Sequence, residues 1–378
     1  LWLLWAPAAA LPSLPKVAKK LSTATGPSSD AVRHRSTGST SVVGPVPVAV
    51  DTKHTNIDPR SDVQIANDRT FSKQAGSLYS LPTDRKEHNR LDFQHEIMRL
   101  LLDDSIYPNP DVVDNALTAE ANPTPNIVDL GTGSGVWAME MARKFPHSKV
   151  LACDIVLPEY PKESIPSNCC FEFLNINKDM EKLQPIFDVV HWRLVEPATV
   201  DSDLFFYDVA RILRPGGIFI AVAGNPHLMK KVNDYQFAEG PPRLLHGHWD
   251  EVLGKNANFK DFKVQEFLLP SGPWEEGMTY KRREIAEMMN ENYLRVVRGL
   301  TAGLRVHGKV TLDEIDKLEA GSLKEFRELP PGVHAYTKWV FATAVRTDLA
   351  WSARTQPWKI PGWFGPADYI IPPFSDEP

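Results

Sequence analysis

The sequence predicts an α/β protein: a seven-stranded, mostly parallel, doubly wound sheet, with a helical cap inserted between the last two strands. Three observations lead to this prediction. Short apolar runs alternate with amphipathic segments from residue 126 to residue 223, as strands joined by crossover helices do. A glycine-rich turn, G-T-G-S-G, joins the first apolar run to a helical segment. Residues 270–334, between the last two runs, contain two helical patterns, which predict the cap.

The strands are predicted at residues 126–130, 149–153, 171–174, 187–191, 218–223, 263–269 and 335–346. Amphipathic spacing and breaking residues predict helices at 136–145, 205–213, 246–253, 281–300 and 311–326. A further helix precedes the first strand, beginning after Thr83 or Asp84 and ending at Leu102. Its apolar stripe includes His95, which we therefore expect to be packed in the core.

Three segments are expected along the chain. Residues 1–70 are predicted to be disordered, because their first fifty residues are rich in Ser and Thr and contain a single acid; a transit peptide has the same composition. Residues 71–346 form the folded domain, with the cap at about 270–334. Residues 347–378 form an aromatic, proline-rich tail, which we expect to lie over the core.

Composition limits the possible partners. The 378 residues include 42% apolar side chains, enough for a sizeable core, and the formal net charge is −6. This charge gives no general attraction to nucleic acid or to an anionic membrane. A small-molecule substrate is therefore expected, with a protein partner as the alternative. Three cysteines are too few for a disulfide framework, which favours a reducing compartment. We expect the cytoplasm, with the nucleus, or the mitochondrion if residues 1–70 are a transit peptide, as alternatives.

The glycine-rich turn predicts a nucleotide-like ligand, because alternate glycines let a backbone approach a ligand closely. Its G-x-G-x-G spacing differs from the G-x-G-x-x-G fingerprint of dinucleotide sites. Asp129 precedes the first glycine and would repel a pyrophosphate, whereas it suits a cationic ligand such as S-adenosylmethionine. Asp154 ends the second strand and would accept ribose hydroxyls from either cofactor. An NAD site and a turn that binds nothing remain the alternatives.

A set of motifs adds to this interpretation: Y-x-L-P at 79–82, R-L-D-F-Q-H at 90–95, V-D-L-G-T-G-S-G-V-W-A at 128–138, C-D-I at 153–155, F-D-V-V-H-W-R at 187–193 and L-R-P-G-G at 213–217. With these motifs the chain resembles the Rossmann-like class I S-adenosylmethionine-dependent methyltransferases, and among them the fungal LaeA-like group. The resemblance extends over residues 79–346 and says little about the substrate. It implies an enzyme that methylates a small molecule, with secondary metabolites as one acceptor class. A LaeA-like regulator acting through protein partners is the alternative, and an NAD-dependent oxidoreductase is a more distant one.

The resemblance also implies roles for individual residues. The cofactor's methionine part would lie against Gly131, Thr132, Gly133 and Gly135, with Asp129 ordering the turn. Its ribose would bind Asp154, and its adenine would contact Ile155, Asn175 and Ile176. His191 and Trp192 would line the methyl-transfer site, and Tyr79 and Arg90 would close over the cofactor. His191 is the candidate proton acceptor, with a packed structural histidine as the alternative. No metal site is predicted.

Overall fold

The structure is a computed structural model that describes residues 63–66, 68–73, 81–224, 229–231, 253, 256–307, 310–328 and 334–349. Three sequence-based expectations lie mainly outside these ranges: the role of Tyr79, the helix at 246–253 and the aromatic tail beyond residue 349. Within the described ranges, no helix is long and apolar enough to cross a membrane.

The strands that the structure describes are β1 (Val63–Ala66), β2 (Arg69–Ser72), β3 (Asn126–Leu130), β4 (Lys149–Asp154), β5 (Cys169–Phe173), β6 (Phe187–Arg193), β7 (Leu213–Gly224), β8 (Met229–Lys231), β9 (Phe259–Pro270) and β10 (His334–Arg346). The main sheet has the order β5-β4-β3-β6-β7-β10; β9 pairs along the other edge of β10, and short β8 pairs with the start of β10 on the β7 side. The first five of these strands are parallel to one another, whereas β10 is antiparallel to its neighbours. The predicted α/β sheet is confirmed, with short β8 as an additional strand.

The helices are α1 (Arg85–Leu101), α2 (Pro110–Leu117), α3 (Val136–Lys144), α4 (Ser202–Ile212), α5 (Tyr280–His307) and α6 (Leu312–Arg327). They cover both faces of the sheet. Neighbouring residues on a strand face opposite ways, so Ile127 packs with Trp137 of α3 while Val128 packs with Phe205 of α4. This two-sided packing makes the sheet doubly wound, as the sequence predicts.

Helix α1 connects the sheet to the helices inserted between β9 and β10. His95, only 1% exposed, accepts a hydrogen bond at Nδ1 from Arg193 of β6 (2.8 Å) and donates one from Nε2 to Glu140 of α3 (3.1 Å). The buried Arg90 pairs with Glu87 (2.7 Å) and donates to Asn292 of α5 (3.1 Å). These polar contacts link α1 to the sheet at His95 and to α5 at Arg90.

The β1–β2 hairpin is an ordered part of the segment 1–70 that was predicted to be disordered. Arg69 donates two hydrogen bonds to the Asp84 carboxylate, at 2.6 and 3.1 Å. Asp84 also caps α1 by accepting from the Glu87 amide at 3.0 Å. Burial raises the pKa of Asp84, but Arg69 and the backbone amides outweigh it, so that this pKa lies below its usual value. The hairpin is thus held at the start of α1 by a partner outside its own sequence.

Candidate cofactor site

The glycine-rich loop leaves β3 at Leu130 and enters α3 at Val136. Gly131, Gly133 and Gly135 have φ angles of 74°, 58° and 78°, in the left-handed region that favours glycine. The amides of Gly131 and Thr132 both donate to the carbonyl of Cys153 on β4, at 2.9 Å each. The loop is therefore fixed to the end of the neighbouring strand.

Side chains from three parts of the chain lie against the loop. A Cβ atom at Gly131 would come within 2.6 Å of Val195, which follows β6, and one at Gly133 within 2.8 Å of Leu91 of α1. At Gly135 it would meet the ring of Phe171 on β5. Larger residues at these positions would have to displace their neighbours, so the loop is shaped by close contact as well as by its φ angles.

Asp129 is buried at the base of this loop, 2% exposed. Its Oδ1 accepts from His191 Nδ1 at 2.7 Å and its Oδ2 accepts from the Thr132 hydroxyl at 2.6 Å. Burial raises the pKa of the Asp129 carboxyl, but the interactions with His191 and Thr132 outweigh it, so that this pKa lies below its usual range. Asp129 therefore orders the loop through Thr132 and holds the ring of His191.

His191 lies inside β6 rather than in the loop after it. Its ring stacks on Trp137 of α3, with centroids 3.7 Å apart and an interplanar angle of 9°, and is 1% exposed. Burial, together with the charges of Arg193 and His95, lowers the pKa of His191 even though Asp129 acts to raise it, so the ring is neutral at pH 7. This environment favours the packed, structural alternative over the role of proton acceptor.

Asp154 ends β4 and faces the same loop. Its carboxylate accepts from the amides of Gly133 and Ile155, both at 2.7 Å, and of Val156 at 3.3 Å. Burial is the main cause that raises the pKa of Asp154 to about 6; the charge of Asp129 adds to this, and the three amides oppose it. Because the side chain is only partly buried and each oxygen has two lone pairs, Asp154 can accept further hydrogen bonds from a ligand.

The residues expected at the adenine lie after β4 and β5. Ile155 is partly exposed, and Ile176 packs against the core on the α4 face of the sheet. Asn175 is buried, and its side-chain oxygen accepts from the Asn177 amide at 3.0 Å. That oxygen keeps one lone pair for another donor, so the turn formed with Asn177 restricts any contact of Asn175 with a base.

The placement of Trp192 requires a correction. The loop lining the methyl-transfer site was expected to begin with His191, but β6 continues to Arg193. Because side chains alternate along a strand, Trp192 faces the opposite way from His191. Its fully buried ring lies 5.4 Å from that of Phe205 on α4, in the core. Trp192 is thus a packing residue.

Arg90 is also placed differently from a free anion-binding residue, since Glu87 and Asn292 already contact its guanidinium. In the part of the chain that the structure describes, no group of three His, Cys, Asp or Glu side chains is arranged to hold a metal ion.

Comparison with known proteins finds similar fungal proteins, although no family model matches the chain. The "Secondary metabolism regulator laeA" of Coprinopsis cinerea is 30% identical over 150 residues, which are 40% of this chain and 36% of that protein. "Methyltransferase pytC" of Aspergillus terreus is 27% identical over 258 residues, 62% of this chain and 73% of that protein. The chain is thus similar in sequence to LaeA-like proteins and to a fungal methyltransferase. It spans little more than a third of the Coprinopsis relative.

A solved structure of the phosphoethanolamine N-methyltransferase 2 of Haemonchus contortus, in complex with S-adenosyl-L-methionine, is 17% identical with a TM-score of 0.37; the match covers 74% of this chain and 62% of that one. The relative named as a methyltransferase supports the family and the S-adenosylmethionine cofactor that the sequence predicts. The strand order of the sheet confirms the fold.

The site of this chain has buried polar atoms without partners that fit this cofactor. Three buried side-chain oxygens have no hydrogen-bond partner: the hydroxyl of Ser134 in the glycine loop, Oε1 of Glu196 after β6 and Oδ1 of Asp92 on α1. Buried polar atoms are normally hydrogen-bonded. S-adenosylmethionine has an ammonium group, a sulfonium and two ribose hydroxyls, so acids and a hydroxyl around a glycine loop suit it.

Sequence reasoning did not include Ser134, Glu196 or Asp92 among the site residues. Ser134 and Asp92 lie inside the motifs at 128–138 and 90–95, so the sequence could have indicated that they belong to the site. Glu196 lies three residues beyond the F-D-V-V-H-W-R motif. Its burial depends on the folding of residues far away in the sequence.

Proposed function

We propose that the chain is an S-adenosylmethionine-dependent methyltransferase whose acceptor is a small molecule. The observation that supports this most is the glycine loop with Asp129 at its base and Asp154 facing it, crowded by Leu91 and Val195. The bound cofactor supplies an electrophilic methyl group on a sulfonium, which is a good leaving group. The protein then has to orient the acceptor and exclude water, and correct orientation can lower the activation free energy by about 7 to 11 kcal/mol.

In this proposal the backbone of Gly131 to Gly135 holds the amino-acid part of the cofactor. Asp154 accepts the ribose hydroxyls, for which its partly exposed carboxylate is suited. Ile155 and Ile176 contact the adenine, and Asn175 accepts one hydrogen bond from it. Asp129 acts indirectly, because both of its oxygens already accept hydrogen bonds, from His191 and Thr132.

A small acceptor is favoured by the way the loop is covered. Leu91 of α1 lies directly over Gly133, and α1 is joined to α5 of the inserted helices through Arg90 and Asn292. A compact molecule passes more readily beneath such a cover than a folded protein surface does. We propose that the inserted helices are the substrate cap.

The test is transfer of labelled methyl from S-adenosylmethionine by the purified protein alone. The expected result is label in the low-molecular-weight fraction of an extract, and loss of that label with Gly133→Val. Label that appears in protein, or only after a protein partner is added, would instead support the regulatory alternative. Tight binding of NAD, without binding of S-adenosylhomocysteine, would overturn the proposal. The proposed compartment is the cytoplasm, which imaging of a fluorescent fusion of the full-length protein tests.

A further inference from the structure

Glu196 lies at the carboxyl edge of the sheet, between the ends of two strands. It follows β6, which ends at Arg193, and its carboxyl group lies beside the amide of Gly224, where β7 ends. The preceding residue, Val195, packs directly against Gly131 of the glycine loop. In open α/β sheets, ligands bind in the crevice outside the carboxyl ends of the strands. Glu196 is therefore beside the cofactor loop.

The chain turns sharply to place Glu196 there. Leu194 has a φ angle of 55°, a conformation that is strained for a side chain of this kind and that tends to occur at functional sites. Its amide is held by the carbonyl of Val222 on β7 at 2.8 Å. This turn ends β6 and directs the following residues across the edge of the sheet.

The carboxyl group of Glu196 is buried but incompletely paired. The residue is 5% exposed, and its Oε1 atom makes no hydrogen bond. Burial raises the pKa of Glu196 to about 8, opposed by the backbone amides of Glu196 and Gly224 and by no charged side chain. At pH 7 such a group is about nine-tenths protonated. A cation beside it would favour the carboxylate and expel the proton.

We infer that Glu196 is the proton acceptor of the site: it gives up its proton when the sulfonium cofactor binds, and takes up the proton of the methyl acceptor during transfer. The inference rests on the proposed function. The lone pair of the acceptor forms the new bond to the methyl carbon, and the electrons of the broken carbon–sulfur bond remain on sulfur. The acceptor's proton passes to Glu196. The positive charge on sulfur and the negative charge on Glu196 disappear together, so the site is neutral before and after the step.

The test counts protons released on cofactor binding, which needs no knowledge of the acceptor. Titration calorimetry of the full-length protein at pH 7, in two buffers of different ionisation enthalpy, should show release of about 0.9 proton with S-adenosylmethionine, as expected when a group with a pKa of about 8 ionises. S-adenosylhomocysteine has a neutral sulfur and should release close to none. Affinity of the native protein for S-adenosylmethionine should rise about fivefold from pH 7 to pH 8, while affinity for S-adenosylhomocysteine stays constant.

Glu196→Gln keeps the shape of the neutral acid and should still bind both compounds. It should release no proton with either, and should lose the pH dependence. The exposed Glu163, on the loop after β4, provides the matched control, because Glu163→Gln should behave as the native protein does. Equal proton release by the native protein and Glu196→Gln, or by the two cofactors, would overturn the inference while leaving the proposed function intact. Failure of the native protein to bind either cofactor would overturn both.

Discussion

Close contact between Leu91 and the glycine loop can be measured with a double-mutant cycle. Gly133→Ala adds a Cβ atom 2.8 Å from Leu91 Cδ1 at a φ of 58°. Carbon atoms normally stay about 3.5 to 4.0 Å apart, so Leu91 must leave its rotamer or α1 must shift. Leu91→Ala removes the atom that is too close. The cost of Gly133→Ala should therefore be smaller when Leu91 is already alanine.

The magnitude has two parts. The left-handed conformation costs an alanine roughly 1 to 2 kcal/mol, in either background. Displacing Leu91 from its rotamer costs roughly 0.5 to 1.5 kcal/mol, only when Leu91 is present, and this second part is the coupling energy. Gly277 provides a control for the first part, because its φ is 72° but nothing lies within 4 Å of its Cβ position. Gly277→Ala should show the conformational cost alone.

Urea unfolding of the single and double variants gives these energies, and titration with S-adenosylhomocysteine gives the effect on the site. Gly133→Ala should weaken binding by about tenfold or more if the added Cβ also moves α1, a change that corresponds to about 1.4 kcal/mol. Gly277→Ala should leave binding unchanged. The reasoning would be refuted by two results together. The losses in unfolding free energy of the two single variants would sum to that of the double variant within about 0.5 kcal/mol, and Gly133→Ala would bind S-adenosylhomocysteine as tightly as the native protein. Leu91 of α1 would then not press on the glycine loop.

Three further predictions concern the acids of the site. Asp154→Ala should weaken binding of S-adenosylhomocysteine by about 1 to 3 kcal/mol through unpaired ribose hydroxyls, whereas equal affinity in calorimetry would remove Asp154 from the site. Since the pKa of Asp154 is about 6, affinity of the native protein should fall as the pH drops from 7 to 5, and Asp154→Asn should flatten that profile. Asp129→Ala should lower the free energy of unfolding by roughly 1 to 3 kcal/mol for each buried donor, His191 and Thr132, that it leaves without an acceptor; Asp129→Asn should cost less, and equal losses in urea titrations would contradict this reasoning.

The buried pair of Asp129 and His191 also affects how stability depends on pH. The pKa of Asp129 is lower in the folded than in the unfolded protein, so its contribution is fully present above the unfolded value and is lost as the pH falls through the folded value. The pKa of His191 is also lowered, which means that the unfolded chain binds this proton first. The contribution of Asp129 and His191 to stability should therefore begin to decline below about pH 6.5, and this part of the pH dependence should be lost in Asp129→Asn when unfolding in urea is measured across pH.

Local patterns were enough to predict the sheet, because apolar runs and glycine turns are properties of neighbouring residues. The ends of strands were harder to predict. Strand β6 was expected to end at His191, since a polar residue usually marks the edge of a core. Arg193 remains in the strand, paired with Val222 of β7, and its guanidinium donates to His95, far away in the sequence. Strand β7 likewise begins at Leu213, before the proline and glycines that were expected to precede it.

Dependence on residues that are distant in the sequence also explains which site residues were not predicted. Asp129 and Asp154 were recognised because Asp129 lies in the strand just before the glycine turn and Asp154 ends the next strand. Glu196 and the true position of Trp192 depend on the exact end of β6 and on which face each residue occupies. The β1–β2 hairpin did leave a signal, a V-Q-I-A run, an N-D turn and an R-T-F-S run at 63–72. Its anchoring by Asp84 could be seen only in the folded protein.

The Arg69–Asp84 pair has a practical consequence for anyone shortening this protein. Asp84 also caps α1, and α1 carries Leu91 onto the glycine loop. A truncation that begins at residue 79 would keep every motif from Y-x-L-P onward and still discard the guanidinium of Arg69, which holds the Asp84 side chain that caps α1. In such a fragment the first turn of α1 should fray, and Leu91 should no longer be held against the glycine loop. Crystallisation and binding trials are better begun upstream of Val63.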